Sequence, residues 1–131
     1  MKIEKQVCNL KLAKKLKKLG VKQESLWYWV NEKLTFEQPS KEFKIASTSW
    51  YSAFTVAELG EKLPYYLGEI EVGLPHKSSF DGGKTIEWGW GWQEYLVNRK
   101  DGKTIKTGFA KTEANARAKM IIYLRENKLL D

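Results

Sequence analysis

The sequence predicts an α+β fold: an antiparallel sheet of four to five strands, with an N-terminal and a C-terminal helix packed on it and a short middle helix. Three observations lead there. Residues 85–98, T-I-E-W-G-W-G-W-Q-E-Y-L-V-N, follow the two-residue period of a strand, so Ile86, Trp88, Trp90, Trp92 and Leu96 share one face. Stretches near each end carry apolar side chains at helical spacing. Between them, Thr55 and Glu58 stand three residues apart, as the capping box of a short helix requires.

The first helix is predicted over Leu10–Leu19, with Asn9 as its N-cap. Leu12, Ala13, Leu16 and Leu19 make its apolar stripe. Lys11, Lys15, Lys18 and Lys22 make a second stripe at spacings of four, three and four, with Lys14 beside it. Gly20 ends the helix as the residue after the cap, which lets Val21 fold back onto Leu16. Ser25–Val30, S-L-W-Y-W-V, is β-branched and aromatic and reads as a strand. Residues 31–49 are polar around Pro39, with a short strand expected at Phe43–Ala46.

The middle helix starts at the Thr55/Glu58 box, stapled by Phe54 and Leu59, and stops before Pro64. Gly60 inside it costs on the order of 1 kcal/mol relative to alanine. From Tyr65 to Leu74 one half-exposed strand is expected, with Ile70, Val72 and Leu74 opposite Glu69 and Glu71. Residues 76–84, H-K-S-S-F-D-G-G-K, have the composition of a loop.

Asp101-Gly102 then suits a two-residue type I′ turn, which pairs Asn98 with Ile105, Leu96 with Thr107 and Glu94 with Phe109. That register adds Ile105 and Phe109 to the tryptophan face. The alternative, a bulge at Gly102, shifts the pairing by one and sets Ile105 against Val97. The first is preferred because it gathers the apolar groups on one side. Thr112 caps a last helix running to about Glu126, and Ala114, Ala118, Ile121, Ile122 and Leu124 form a broad apolar side expected to cover the tryptophans. Glu87 and Glu94 flank those rings, which favours core over a stacking platform for bases or sugars.

With 131 residues the chain is expected to be a single domain, 1–131. A chain of this length buries roughly two-thirds of its unfolded surface and needs no disulfide or metal to fold. Its one cysteine, Cys8, makes no internal bridge and excludes a multi-cysteine zinc site. With no apolar run of membrane-spanning length and no signal-peptide pattern, a cytoplasmic protein is expected. The charge is localised: residues 1–22 hold eight lysines and one acid, while residues 23–131 hold fifteen bases and fifteen acids. All of the net +7 therefore sits at the amino-terminal end.

Little in the sequence is chemical. His76 is the sole histidine and sits in the expected loop; Cys8 precedes a helix start, where a dipole lowers a thiol pKa, but has no neighbouring base. The D-G-G-K run at 81–84 lacks the spacing and the Ser/Thr of a phosphate loop, and Glu69 and Glu71 read as a solvated strand face. No enzyme, metal or cofactor is expected. Two features point to polyanions instead. The lysine stripe can neutralise phosphates without reading sequence. In addition, residues 19–29, L-G-V-K-Q-E-S-L-W-Y-W, are similar to the turn and second helix of a helix-turn-helix, with Leu26 and Trp29 at its buried positions. Against that, Leu16 stands where a small residue is usual, and Trp27 and Tyr28 would face the bases.

Three stretches, 7–30, 53–64 and 112–130, together resemble a family of small proteins encoded by bacteriophages and prophages. They cover a little under half of the chain. The resemblance implies a small accessory protein in the host cytoplasm and transfers no catalytic residue. The function expected is therefore binding: to a protein with an acidic surface through Lys11, Lys14, Lys15, Lys18 and Lys22, or, as the rival reading, to nucleic acid through the same lysines.

Overall fold

The helices begin where a side-chain oxygen accepts from a free first-turn amide. The computed structural model describes residues 2–72, 76–80 and 89–130, and for 76–80, 89–95 and 107–109 it describes the backbone alone. In α1 (Leu10–Lys18) the Asn9 side chain accepts from the Leu12 N–H; in α4 (Glu113–Glu126) Thr112 accepts from Asn115. Ahead of α3 (Val56–Lys62), Thr55 accepts from the Glu58 N–H while the Glu58 carboxylate accepts from the Thr55 N–H, so the capping box is complete. Phe54 and Leu59, the staple pair, are both fully buried.

One helix differs from expectation. Residues 41–46 form α2 (Lys41–Ala46) rather than a strand, because Ser40, just after Pro39, caps it by accepting from the Phe43 N–H. The two-residue spacing of Phe43 and Ile45 suggests a strand, but the cap decides the outcome and leaves Ile45 79% exposed.

Helix α1 ends as predicted. Gly20 takes φ +88°, its N–H donates to the Lys17 carbonyl, and the Val21 N–H donates to that of Leu16, both at 3.0 Å. No regular element forms between Val21 and Trp27, and the strand β1 is only Tyr28–Val30, shorter than predicted. It lies between β2 (Lys33–Thr35) and β3 (Trp50–Ser52) in a three-stranded antiparallel sheet. The β1–β2 turn is Asn31-Glu32, both at positive φ (49° and 67°), as a type I′ turn demands.

A second, five-stranded antiparallel sheet is built on the long strand β7 (Gly89–Asn98). Its partners are β4 (Tyr66–Leu67), β5 (Ile70–Val72), β6 (His76–Phe80) and β8 (Thr104–Ala110). β8 takes one edge of β7, and β6 and β5 succeed one another along the other. Two expectations change here. Residues 65–74 do not make one strand: β4 and β5 form a hairpin in which Leu67 faces Ile70 around Gly68 at φ +62°. Residues 76–80 are a strand on β7, not a loop; 81–84 lie outside the described residues.

The preferred β7–β8 register is also corrected. Leu96 faces Lys106 and Glu94 faces Gly108, the shifted pairing of the alternative, but the irregularity lies between Leu96 and Val97 instead of at Gly102, so Val97 faces Thr104 and not Ile105. The cause is the turn. Gly102 at φ +71° donates its N–H to the Asn98 carbonyl at 2.7 Å, closing a four-residue loop. Side chains of Asn98 and Asp101 accept from the Lys100 and Lys103 amides, so polar turn chemistry outweighs the gathering of apolar groups. Ile105, expected on the tryptophan face, is 43% exposed.

Helix α4 packs against β7 and β8 on one side and against α1 and α3 on the other. Cys8, Leu12, Ala13, Leu16, Val21, Phe54, Leu59, Ala114, Ala118, Ile121 and Ile122 form the cluster among the helices. Val72, Leu96, Met120 and Leu124 form the cluster beneath the sheet. Helix α1 thus rests on α4 and β3 rather than on the large sheet. Of the predicted tryptophan face, Leu96 is fully buried under α4; residues 86 and 88, and the side chains of Trp90 and Trp92, lie outside the described residues.

Candidate anion-binding face

The lysines of α1 are sorted by what lies beneath them. Leu12, Ala13 and Leu16 anchor the helix in the core, which turns Lys11, Lys14, Lys15 and Lys18 outward. At 100° per residue, Lys11, Lys15 and Lys18 fall within an arc of about 60° and span roughly 10 Å along the axis. Lys22 lies past the Schellman turn and pairs with Glu24 at 3.2 Å, both side chains more than two-thirds exposed, so the pair is worth little. None of Lys11, Lys14, Lys15, Lys17 and Lys18 has a carboxylate partner among the described residues.

Lys17 does something else. Its ammonium donates to the Trp50 carbonyl at 2.8 Å and sits 3.7 Å from the Trp50 ring centroid and 5.1 Å from that of Tyr51. From α2, Lys44 approaches the same indole at 5.0 Å, and Lys14 lies 5.9 Å from the Tyr51 ring. Partial burial, and then the charge of Lys44, pull the Lys17 pKa below its ordinary 10.5. On the same outer edge of β3, the Ser52 N–H donates to Gln23 Oε1 at 2.7 Å. Lys17 and Gln23 together occupy backbone groups of an edge strand that would otherwise be open to pairing.

Sequence reasoning does not find this cation–aromatic cluster. Lys17 lies at the border of the apolar stripe, which marks a lysine whose stem crosses packed surface. Nothing local, however, brings Trp50 and Lys44 to it.

Other expected positions resolve differently. Cys8 is buried, its thiol pushed up to about 12, chiefly by desolvation, so the helix dipole does not activate it. After Gly20 no second helix forms; residues 28–30 are a strand, Leu26 is 58% exposed, and the Trp29 indole donates to the Cys8 carbonyl. The helix-turn-helix reading of residues 10–30 is thereby excluded. Glu69 sits in the β4–β5 turn and Glu71 is exposed on β5, so they share no site. His76 is described only as backbone, in β6. Among the described residues no group of three or more His, Cys, Asp or Glu is placed to hold a metal ion, and no helix is long and apolar enough to cross a membrane. Comparison with protein-family models, with curated proteins and with solved structures finds no match.

Proposed function

We propose that this protein acts by binding an acidic protein surface through the lysine face of α1, and not by catalysis. The observation that carries the reading is the arrangement of Lys11, Lys15 and Lys18: exposed, without carboxylate partners among the described residues, on a helix locked to the core by its other side. The helix backbone needs no ordering on association, each lysine side chain that is immobilised costs about 0.5–1.5 kcal/mol, and the charges steer encounter more than they add affinity. Lys14 and Lys22 extend the array at its flank and end. The buried thiol of Cys8 supports binding over nucleophilic chemistry. On the resemblance of residues 7–30, 53–64 and 112–130, the setting is that of a phage or prophage accessory protein in the host cytoplasm.

The rival, nucleic acid, would use the same lysines on phosphates. Two points favour the protein partner: residues 21–27 form no second helix after the Gly20 turn to enter a groove, and the Trp50 ring already carries an ammonium over its face instead of offering it to a base. A salt titration of binding to polyglutamate and to random duplex DNA separates the two. Retention on polyglutamate with weak or no retention on DNA is the expected result. DNA affinity that falls with a logarithmic salt slope of about −3 to −4, as for four neutralised phosphates, would select the rival.

A further inference from the structure

We propose that the cleft where the end of α1 meets α3 and α4 binds a small monocarboxylate carrying a compact apolar body. The cleft holds about 230 Å³ and is lined by Val21, Lys22, Lys62, Ile121, Arg125 and Leu130. Val21 and Ile121 belong to the buried core and Leu130 is half-buried, so the floor is apolar. Three cations line it, Lys62 of α3, Arg125 of α4 and Lys22 of the segment after α1, and no carboxylate is among the described lining residues.

Local structure fixes this arrangement. The Schellman turn at Gly20 presses Val21 inward, and the Arg125 guanidinium donates from Nη1 to the Leu19 carbonyl at 3.0 Å. Arg125 Nε is buried and has no hydrogen-bond partner among the described residues. Lys62 leans over the Phe54 ring at 4.8 Å, and Lys22 pairs with the exposed Glu24 at 3.2 Å.

Size and chemistry narrow the ligand. An apolar cavity of about 150 Å³ admits benzene, whereas drug-sized ligands take roughly 300 Å³ or more. The cleft therefore suits a ring or short branched chain with one charged group. A cation is repelled by Lys22, Lys62 and Arg125. A neutral apolar molecule gains nothing from the positive charge of the lining, and a bare inorganic anion leaves the floor unfilled. A carboxylate on an apolar body satisfies both, whether it comes from a free acid or from a peptide C-terminus ending in an apolar residue. Only Lys22 is shared with the α1 lysine face, so the two sites stand or fall separately.

Titration of the full-length ¹⁵N-labelled protein with phenylacetate, monitored by amide shifts, tests this. Saturable shifts at Val21, Ile121 and Leu130 are expected, with a Kd on the order of 1 mM. Phenylacetamide, of the same shape without charge, and acetate, without the body, are each expected to bind at least about tenfold more weakly. Arg125→Gln also removes the bond to Leu19, so Lys62→Gln, whose ammonium rests over Phe54 and has no carboxylate partner among the described residues, is the cleaner variant; roughly threefold weaker binding is expected from it. Comparison with N-acetyl-glycyl-phenylalanine distinguishes the sources: tighter binding of the peptide assigns a C-terminus, tighter binding of phenylacetate a free acid, and either supports the site. Absence of saturable shifts up to about 20 mM, equal affinity for phenylacetamide, or indifference to Lys62→Gln in a folded variant overturns it.

Discussion

At Gly60 the helix-propensity cost has a structural counterpart. A Cβ built there would lie 2.6 Å from Arg117 Nη1, and that guanidinium is held by Glu113 at 3.1 Å and mostly buried. Helix α3 carries glycine where α4 lays an arginine across it. Gly60→Ala should therefore gain none of the roughly 1 kcal/mol that propensity offers, but should gain it in an Arg117→Ala background. Urea unfolding of the four proteins of that cycle measures the coupling; identical effects of Gly60→Ala in both backgrounds would contradict it.

Cys8 gives a second residue-scale prediction. Its pKa is raised from 9.0 to about 12 in the folded protein, so folding keeps the thiol neutral. That contribution is fully present below pH 9.0 and is lost as pH rises toward about 12, because the unfolded chain releases its proton first. Between those values the wild type should lose up to about 1.4 kcal/mol per pH unit relative to Cys8→Ala. Chemical denaturation of both proteins at about pH 8 and about pH 10 checks it; parallel pH dependence would show that the thiol is not desolvated.

Among the elements, α1 does two jobs with one kind of residue. Lys17 bonds and covers the outer edge of β3, whereas Lys15, two positions back, faces solvent alone. Lys17→Met should cost on the order of 1 kcal/mol, and Lys15→Met about zero, in thermal or chemical unfolding. Equal costs would mean that the β3 edge does not depend on the ammonium.

Elements are legible where local chemistry decides them. Asn9, the Thr55/Glu58 box, Thr112, Pro64 and the Gly20 stop each act within a few residues, and each stands in the structure as the sequence predicts. Hairpins are harder. Asn31-Glu32 lacks the glycine that usually marks a type I′ turn, and Gly68-Glu69 sits inside an alternating run that reads equally well as one strand. The β7–β8 register turns on side-chain bonds from Asn98 and Asp101, which compete with apolar patterning. In α4, burial on two sides hides the single stripe that periodicity looks for: Met120 and Leu124 face the sheet while Ala114, Ala118, Ile121 and Ile122 face the helices.

For the molecule as a whole, the fold class is legible in the sequence, but the division into two sheets with α4 between two core clusters is not, since it depends on contacts distant in sequence. The site behaves the same way. Charge counting finds the lysine face, because position along one helix fixes which ammonium groups share a side. It cannot separate Lys17 from its neighbours, nor bring Lys22, Lys62 and Arg125 to one cleft. The outcome is a molecule whose net +7 is carried by the first 22 residues of the chain, with Lys11, Lys14, Lys15 and Lys18 exposed on α1.

One measurement bears on that most directly: retention on immobilised polyglutamate of the wild type and of a Lys11→Glu, Lys15→Glu, Lys18→Glu variant, each with its melting temperature. The lysine-face reading predicts that retention is lost while melting shifts by no more than a few degrees, as for surface changes. Undiminished retention of a folded variant would place the binding function elsewhere on the molecule.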